Sequence, residues 1–311
     1  MPTVSALRAS LETYRGLGDR PADFGSFWRR RDAAAEACAA TSTTTDLPSK
    51  NPLAAYSQVR VASTDVRPLA IRVIEPCTPG PHPVVVMFHD LGRGARGWHH
   101  MTRFVALGYG VVALEARAWS TDVTEGWELG PRGLAFTQVI DDALVSAHLA
   151  LSLPWVDASR VVTWGEGLGG ALAIDVAAVL GKRVWRCAAA NPMPADFRGA
   201  WESGFEKGAY AGLRTHFRDV DPTAARADEL FSALAYVDAM FFSPALESRL
   251  LVGVGLDNDV SAPSSQYAAF NRATCEKALI SYPKWGHERI NDFEDELLGF
   301  LNDRQADKSA A

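Results

Sequence analysis

The stretch Val161-Val162-Thr163-Trp164-Gly165-Glu166-Gly167-Leu168-Gly169-Gly170-Ala171-Leu172-Ala173 constrains the chain more than any other. It predicts a short buried strand, a glycine-rich sharp turn and a helix that opens on small residues. Gly165 and Gly169 let strand and helix approach closely and let the residue between them take a strained backbone. In the pattern Gly-x-Ser-x-Gly, such a turn holds a reactive hydroxyl at the end of a parallel sheet. Here the central residue is Gly167, which has no side chain to attack with. The stretch therefore predicts a fold while withholding the chemistry that usually accompanies it.

The 311 residues suffice for one large α/β domain over 1–311 with a sizeable core. A hydrophobic content of 48% and a charged content of 22% place the chain among ordinary globular proteins. The net charge of −6 argues against nucleic acid or an anionic membrane as partner. Arg29-Arg30-Arg31 is too short to change that and reads as a solvated helix face. No apolar run reaches the roughly 18 residues a span requires. The N-terminus lacks the basic and apolar regions of a signal peptide, so a cytoplasmic location is expected. Cys38, Cys77, Cys187 and Cys275 are widely spaced, with no Cys-x-x-Cys, and are expected to be reduced thiols. No metal and no cofactor are expected.

Along the chain, Val4 to Ala40 carries helical spacing, with Asp23 as a candidate cap for the second helix. Alternation from Ser57 to Glu75 predicts a hairpin on one sheet edge. Pro83 to Phe88 is a continuous apolar run, as in a strand buried on both faces. Helical and strand patterns then alternate: a helix at Met101–Leu107, a strand at Gly110–Leu114, a helix at Phe136–Leu153, the elbow, and strands at Trp185–Asn191, Leu250–Gly255 and Ala278–Tyr282. A closing helix runs over Asp292–Asn302. This order implies an α/β fold, a doubly wound and mostly parallel sheet with helices on both faces. Residues 1–40 form an N-terminal helical segment. Residues 195–242 break the rhythm and read as a helical cap insertion.

Several ordered stretches resemble the acetyl xylan esterase / cephalosporin-C deacetylase family of carbohydrate esterases. They are Pro21-Ala22-Asp23-Phe24 with Phe27-Trp28, the elbow Gly165–Gly170, Tyr236-Val237-Asp238, Gly255-Leu256-Asp257-Asn258 with Tyr267–Asn271, and Tyr282-Pro283-Lys284-Trp285-Gly286-His287-Glu288. The resemblance implies the α/β-hydrolase fold, deacetylase ancestry and ring-shaped homo-oligomers. The departures fall at the positions that should react. Gly167 stands for the serine, Leu168 for the glutamine after it and Asn258 for the acid that orients the histidine. Leu91 replaces an oxyanion-loop tyrosine, and Glu115-Ala116-Arg117-Ala118-Trp119 replaces an Arg-Gly-Gln motif. His287 keeps its context.

A triad needs a nucleophile, a base and a group that fixes the base's tautomer. His287, Asn258 and Gly167 occupy those places, with Asp257 or Asp259 able to replace Asn258 after a small register shift. The backbone N–H groups of Leu91 and Leu168 are candidate oxyanion donors, which do not depend on side-chain identity. His89, Asp90, Glu115, Arg117 and Trp119 are candidate pocket residues. Glu115 and Arg117 equally suit an ion pair that holds their loop, Glu166 a solvated or orienting role, and His99-His100 a surface helix start. Trp98, Trp127 and the Phe241-Phe242 pair suit either pocket walls or ordinary packing. Three functions follow. The first is a repurposed small-molecule site in which His287 does acid/base work on a carbonyl or acyl compound. The second is an inactive pseudoesterase serving binding or assembly. The third is an ester hydrolase with a non-standard nucleophile. The first requires an open cavity over Gly167, with both amides pointing into it. A scaffold should instead have it filled, for example by Trp98 or Trp119. Serine at position 167 is expected to be tolerated sterically.

Overall fold

The computed structural model of the protein describes residues 3–115 and 122–302. Two helices come first, α1 (Val4–Thr13) and α2 (Phe24–Ala39). Three strands follow, β1 (Ser42–Asn51), β2 (Ala54–Ala62) and β3 (Pro68–Pro76), then β4 (His82–Phe88), the short α3 (Trp98–Thr102) and β5 (Gly110–Glu115). The chain continues through α4 (Ala135–Ser152), β6 (Val156–Glu166), α5 (Leu168–Leu180) and β7 (Arg186–Ala190). Four short helices, α6 (Phe197–Glu202), α7 (Ala211–Thr215), α8 (Ala227–Leu234) and α9 (Ala239–Phe242), precede β8 (Arg249–Gly255), α10 (Pro263–Arg272), β9 (Lys277–Tyr282) and α11 (Asn291–Asn302).

Among the described residues, one sheet of nine strands runs in the order β1-β2-β3-β5-β4-β6-β7-β8-β9. The ladder is antiparallel from β1 as far as β5 and parallel from β5 to β9. All seven residues of β4 are buried, as its unbroken apolar run requires when helices cover both faces. Alternate residues feed two cores. Val84, Val86 and Phe88 pack with α2, α4 and α5; Val85 and Met87 pack with Trp164, Phe104 and Phe293. The chain leaves β4 for β5 on one side and later places β6 on the other. The carboxyl ends of β4 and β6 thus flank the switch point where open α/β sheets hold ligands.

Two expectations need correction. The edge carries β1 beyond the expected hairpin. It was illegible because Ser42-Thr43-Thr44-Thr45 is exposed and has no apolar alternation to reveal a strand. Asp23 makes no side-chain cap bond to α2; its carboxylate instead accepts from the Tyr236 hydroxyl. That contact joins α2 to the segment between β7 and β8. Phe24, Phe27 and Trp28 stack there with Tyr236 and Phe242, and the Trp28 indole N–H donates to the Tyr236 carbonyl at 2.9 Å.

Candidate functional site: a carboxylate held over the elbow

β6 ends at Glu166 and α5 starts at Leu168, so Gly167 alone makes the turn, at φ 56° and ψ −120°. This backbone is one that glycine takes without strain. A Cβ on Gly165 would run into the backbone of Gly169, and a Cβ on Gly169 into the backbone of Phe88 at the end of β4, which is why both flanking positions are also glycine. The Gly167 N–H donates to the Ala190 carbonyl at 2.9 Å, and its carbonyl accepts from Met193 N–H at 3.0 Å. The elbow is therefore tied to the end of β7.

The loop after β4 turns Asp90 toward this elbow. Its Oδ1 accepts from the Leu91 N–H at 2.8 Å and from the Leu168 N–H at 3.0 Å. Its Oδ2 lies 3.0 Å from His287 Nε2. The two expected amides do converge on one point, but that point is a carboxylate oxygen of the protein itself. The expectation of an open cavity over Gly167 is corrected here. The shallow pocket lined by Asp90, Gly167, Asn191 and His287 has only about 10 Å³ of free volume. Among the described residues the filler is a carboxylate and not an aromatic ring: Trp98 packs edge-on against Tyr56 with centroids 5.4 Å apart. A Cβ on Gly167 would lie 2.8 Å from Asp90 Oδ2 and closer still to Oδ1. Serine at 167 is therefore not accommodated without moving Asp90, contrary to the sequence expectation.

His287 sits in the loop after β9, and its Nδ1 lies 3.3 Å from Asn258 Nδ2. Asn258 Oδ1 is held by the Val260 and Ser261 N–H groups at 3.0 and 2.9 Å, so its amino group faces the ring. An amide NH2 donates only, which makes Nδ1 an acceptor and places the ring proton on Nε2. His287 thus donates to Asp90. A base that deprotonates a nucleophile needs the opposite tautomer. Neither Asp257 nor Asp259 takes the place of Asn258: both are exposed, and Asp259 pairs with Lys207. Burial would push the Asp90 carboxyl up, but His287 and the two amides outweigh it and hold the group below the ordinary carboxylate range. Asp90 is a buried anion satisfied by three donors.

The other candidates distribute around this centre. His89 is buried, its Nδ1 is 2.9 Å from the Asp90 carbonyl oxygen, and burial pushes its ring toward the neutral form. Glu166 pairs with Arg96, so its carboxylate is engaged and not merely solvated. Glu115 pairs with Arg72 and accepts from Gln58 at 3.0 Å, which makes it a holder of the strand edge. Arg117 and Trp119 lie outside the described residues. Trp127 is buried against His216, and Phe241 and Phe242 belong to the core. Among the described residues, no group of three or more metal-ligating side chains is present, and no helix is long and apolar enough to cross a membrane. Sequence reasoning missed Asn191, which binds the Gly255 N–H at 2.9 Å and the Gly286 carbonyl at 3.1 Å and so fastens β8 to the His287 loop. The Asn191-Pro192 turn dipeptide was the available signal.

Sheet order, elbow and histidine loop together define an α/β-hydrolase fold. The family model for acetyl xylan esterase (AXE1) matches residues 1–304, and the chain belongs to that family. It is similar to acetyl xylan esterase 1 from Thermoanaerobacterium sp. JW/SL YS485, with 25% identity over 97% of this chain and 98% of that one and a TM-score of 0.89. An acetyl xylan esterase from Paenibacillus sp. R4 is 21% identical over 97% and 99% of the two chains, with a TM-score of 0.88. An S-formylglutathione hydrolase from Agrobacterium tumefaciens shares the fold more distantly, at 16% identity over 84% and 98% and a TM-score of 0.55.

Proposed function

We propose that this chain is a catalytically silent member of the acetyl xylan esterase family that acts through binding or assembly. The observation that carries this reading is the seat of Asp90 Oδ1 on both the Leu91 and Leu168 amides. Those amides are the family-like donors for an ester's carbonyl oxygen, and one ligand cannot use them while Asp90 does. The Asp90 side chain is in effect a tethered acetate, lodged where a released acetyl group would rest.

Three further observations support it. Gly167 presents no nucleophile. Among the described residues lining the shallow pocket over it there is no serine, threonine or cysteine. Asn258 orients His287 as a donor to Asp90 and not as a base. Acid/base work by His287 on a carbonyl compound needs the amides and Nε2 free, so this geometry favours it less. A second reading treats Asp90 itself as the nucleophile, because its carboxylate lies over the elbow beside a histidine. Three hydrogen bonds that stabilise its charge make it a weak one. The test is turnover of 4-nitrophenyl acetate by the wild type beside His287→Ala. The reading predicts equal, background-level rates. Robust turnover lost in His287→Ala overturns it.

A further inference from the structure

A cavity of about 470 Å³ lies where the turn between β2 and β3 meets α2 and α4. Sites for small organic ligands have this order of volume. None of its described lining residues belongs to the cradle. The run Arg29-Arg30-Arg31 is a solvated helix face only in part. Arg30 and Arg31 follow Phe27 by three and four residues, so the three share the face of α2 that walls the cavity, while Arg29 stands outside the lining. Arg132, from the loop before α4, supplies a third guanidinium.

The acids at this cavity are already taken. Asp141 lines it, and Arg31 holds both its oxygens, one through Nε at 2.8 Å and the other through Nη2. The Thr64 hydroxyl donates to the same carboxylate at 2.5 Å. The neighbouring Asp142 is fully buried and accepts from the Ser63 hydroxyl and from the Gln138 amide, the latter at 3.0 Å. Arg31 and Asp141 therefore cancel. Arg30 and Arg132 are left over, both exposed and with no ion pair or hydrogen bond among the described residues. The first turn of α4 carries no acid, and Arg132 and Gln138 bracket that turn at the cavity, so the helix's positive end adds to the same field.

Two uncompensated guanidiniums on separate elements match a divalent anion better than a monovalent one. The planar fork of arginine also pairs with phosphate oxygens two at a time. We infer that this cavity binds a phosphoryl dianion between Arg30 and Arg132, as free phosphate or as the phosphate group of a small monoester whose body takes up the remaining volume. The inference goes beyond the silent-enzyme reading and does not rest on it.

Phenyl phosphate, benzoate and inorganic phosphate are titrated calorimetrically into the full-length protein at about pH 7.5, where phenyl phosphate is a dianion. Phenyl phosphate should bind about tenfold or more tighter than benzoate, which sets the same ring on a single charge. Arg30→Gln and Arg132→Gln, both at exposed positions, should each weaken it about tenfold or more, with circular dichroism confirming the fold. Arg29→Gln, one residue along α2 and outside the lining, should leave it unchanged. Weaker binding of inorganic phosphate supports the monoester as ligand; equal binding also supports the site and makes the free ion its occupant. No binding of either phosphate to the wild type overturns the inference, as does binding that survives Arg30→Gln or Arg132→Gln undiminished. Benzoate that binds as tightly as phenyl phosphate overturns it too, because one charge would then suffice. An equal loss in Arg29→Gln would reveal diffuse attraction to α2 in place of a site, and overturns it equally. Each outcome is read without an esterase assay, so it stands or falls apart from the silent-enzyme reading.

Discussion

Gly167→Ser is the substitution that tests the geometry hardest. A Cβ there comes within 2.8 Å of Asp90 Oδ2 and closer to Oδ1, inside the 3.0 Å that real Cβ contacts respect. Asp90 must swing out. That breaks its bonds to Leu91 N–H, Leu168 N–H and His287 at 2.8, 3.0 and 3.0 Å. Rehydration returns part of this loss, but orphaned buried donors cost about 1–3 kcal/mol. Serine in the φ 56° elbow backbone adds strain of about 1–3 kcal/mol. The single variant should therefore lose roughly 2–6 kcal/mol, measured by urea unfolding. Asp90→Gly removes the obstacle and carries its own cost, and the double variant should be more stable than the sum predicts. The expected coupling is about 1–3 kcal/mol, since the two residues contest one space. Additivity within about 0.5 kcal/mol would refute the argument, because it would mean that serine fits while Asp90 stays.

Further outcomes follow from the same site and its supports. The Asp90→Gly/Gly167→Ser double variant should show weak turnover of 4-nitrophenyl acetate, and adding Asn258→Asp should raise it about tenfold or more by placing the ring proton on Nδ1; equal rates with and without Asn258→Asp would contradict the tautomer assignment. Asp90 has a lowered folded pKa, so its contribution to stability is present above the ordinary carboxylate value of about 3.9 and is lost as pH falls below it. The stability gap between wild type and Asp90→Asn should be flat from about pH 5 to 8 and should narrow below about pH 4, as followed by denaturant midpoints. Trp28→Ala, which removes a buried ring and its hydrogen bond to Tyr236, should cost about 3–5 kcal/mol in the same unfolding assay.

The sheet was legible because β4, β5, β7 and β8 are buried along nearly their whole length, and β6 over Val161–Gly165, so they are written as largely apolar runs. Gly165 and Gly169 marked the elbow, since no other residue lets β6 and α5 pass so closely. β1 was not legible: Ser42 to Asp46 are exposed and, among the described residues of the strand, Leu47 alone packs against a core, so no alternation of burial writes the strand into the sequence. The pairing of His287 with Asn258 was legible from the ordered motifs. The occupant of the cradle was not. Asp90 adjoins Leu91, so its carboxylate can fold back on its own neighbour's amide, a local turn that hydrophobic patterning does not record. An expectation built on two free amides overlooked the anion that precedes one of them.

Acetate is the Asp90 carboxymethyl group without its tether, and its binding measures occupancy of the cradle most directly. Isotope-edited NMR of the His287 ring nitrogens during acetate titration would report it. The account predicts no response in the wild type, where Asp90 holds both amides and Nε2–H. It predicts a saturable response in Asp90→Gly, where both amides and Nε2–H are released. A wild-type ring that responds to acetate as readily as the Asp90→Gly ring would contradict the account, because the cradle would then be open.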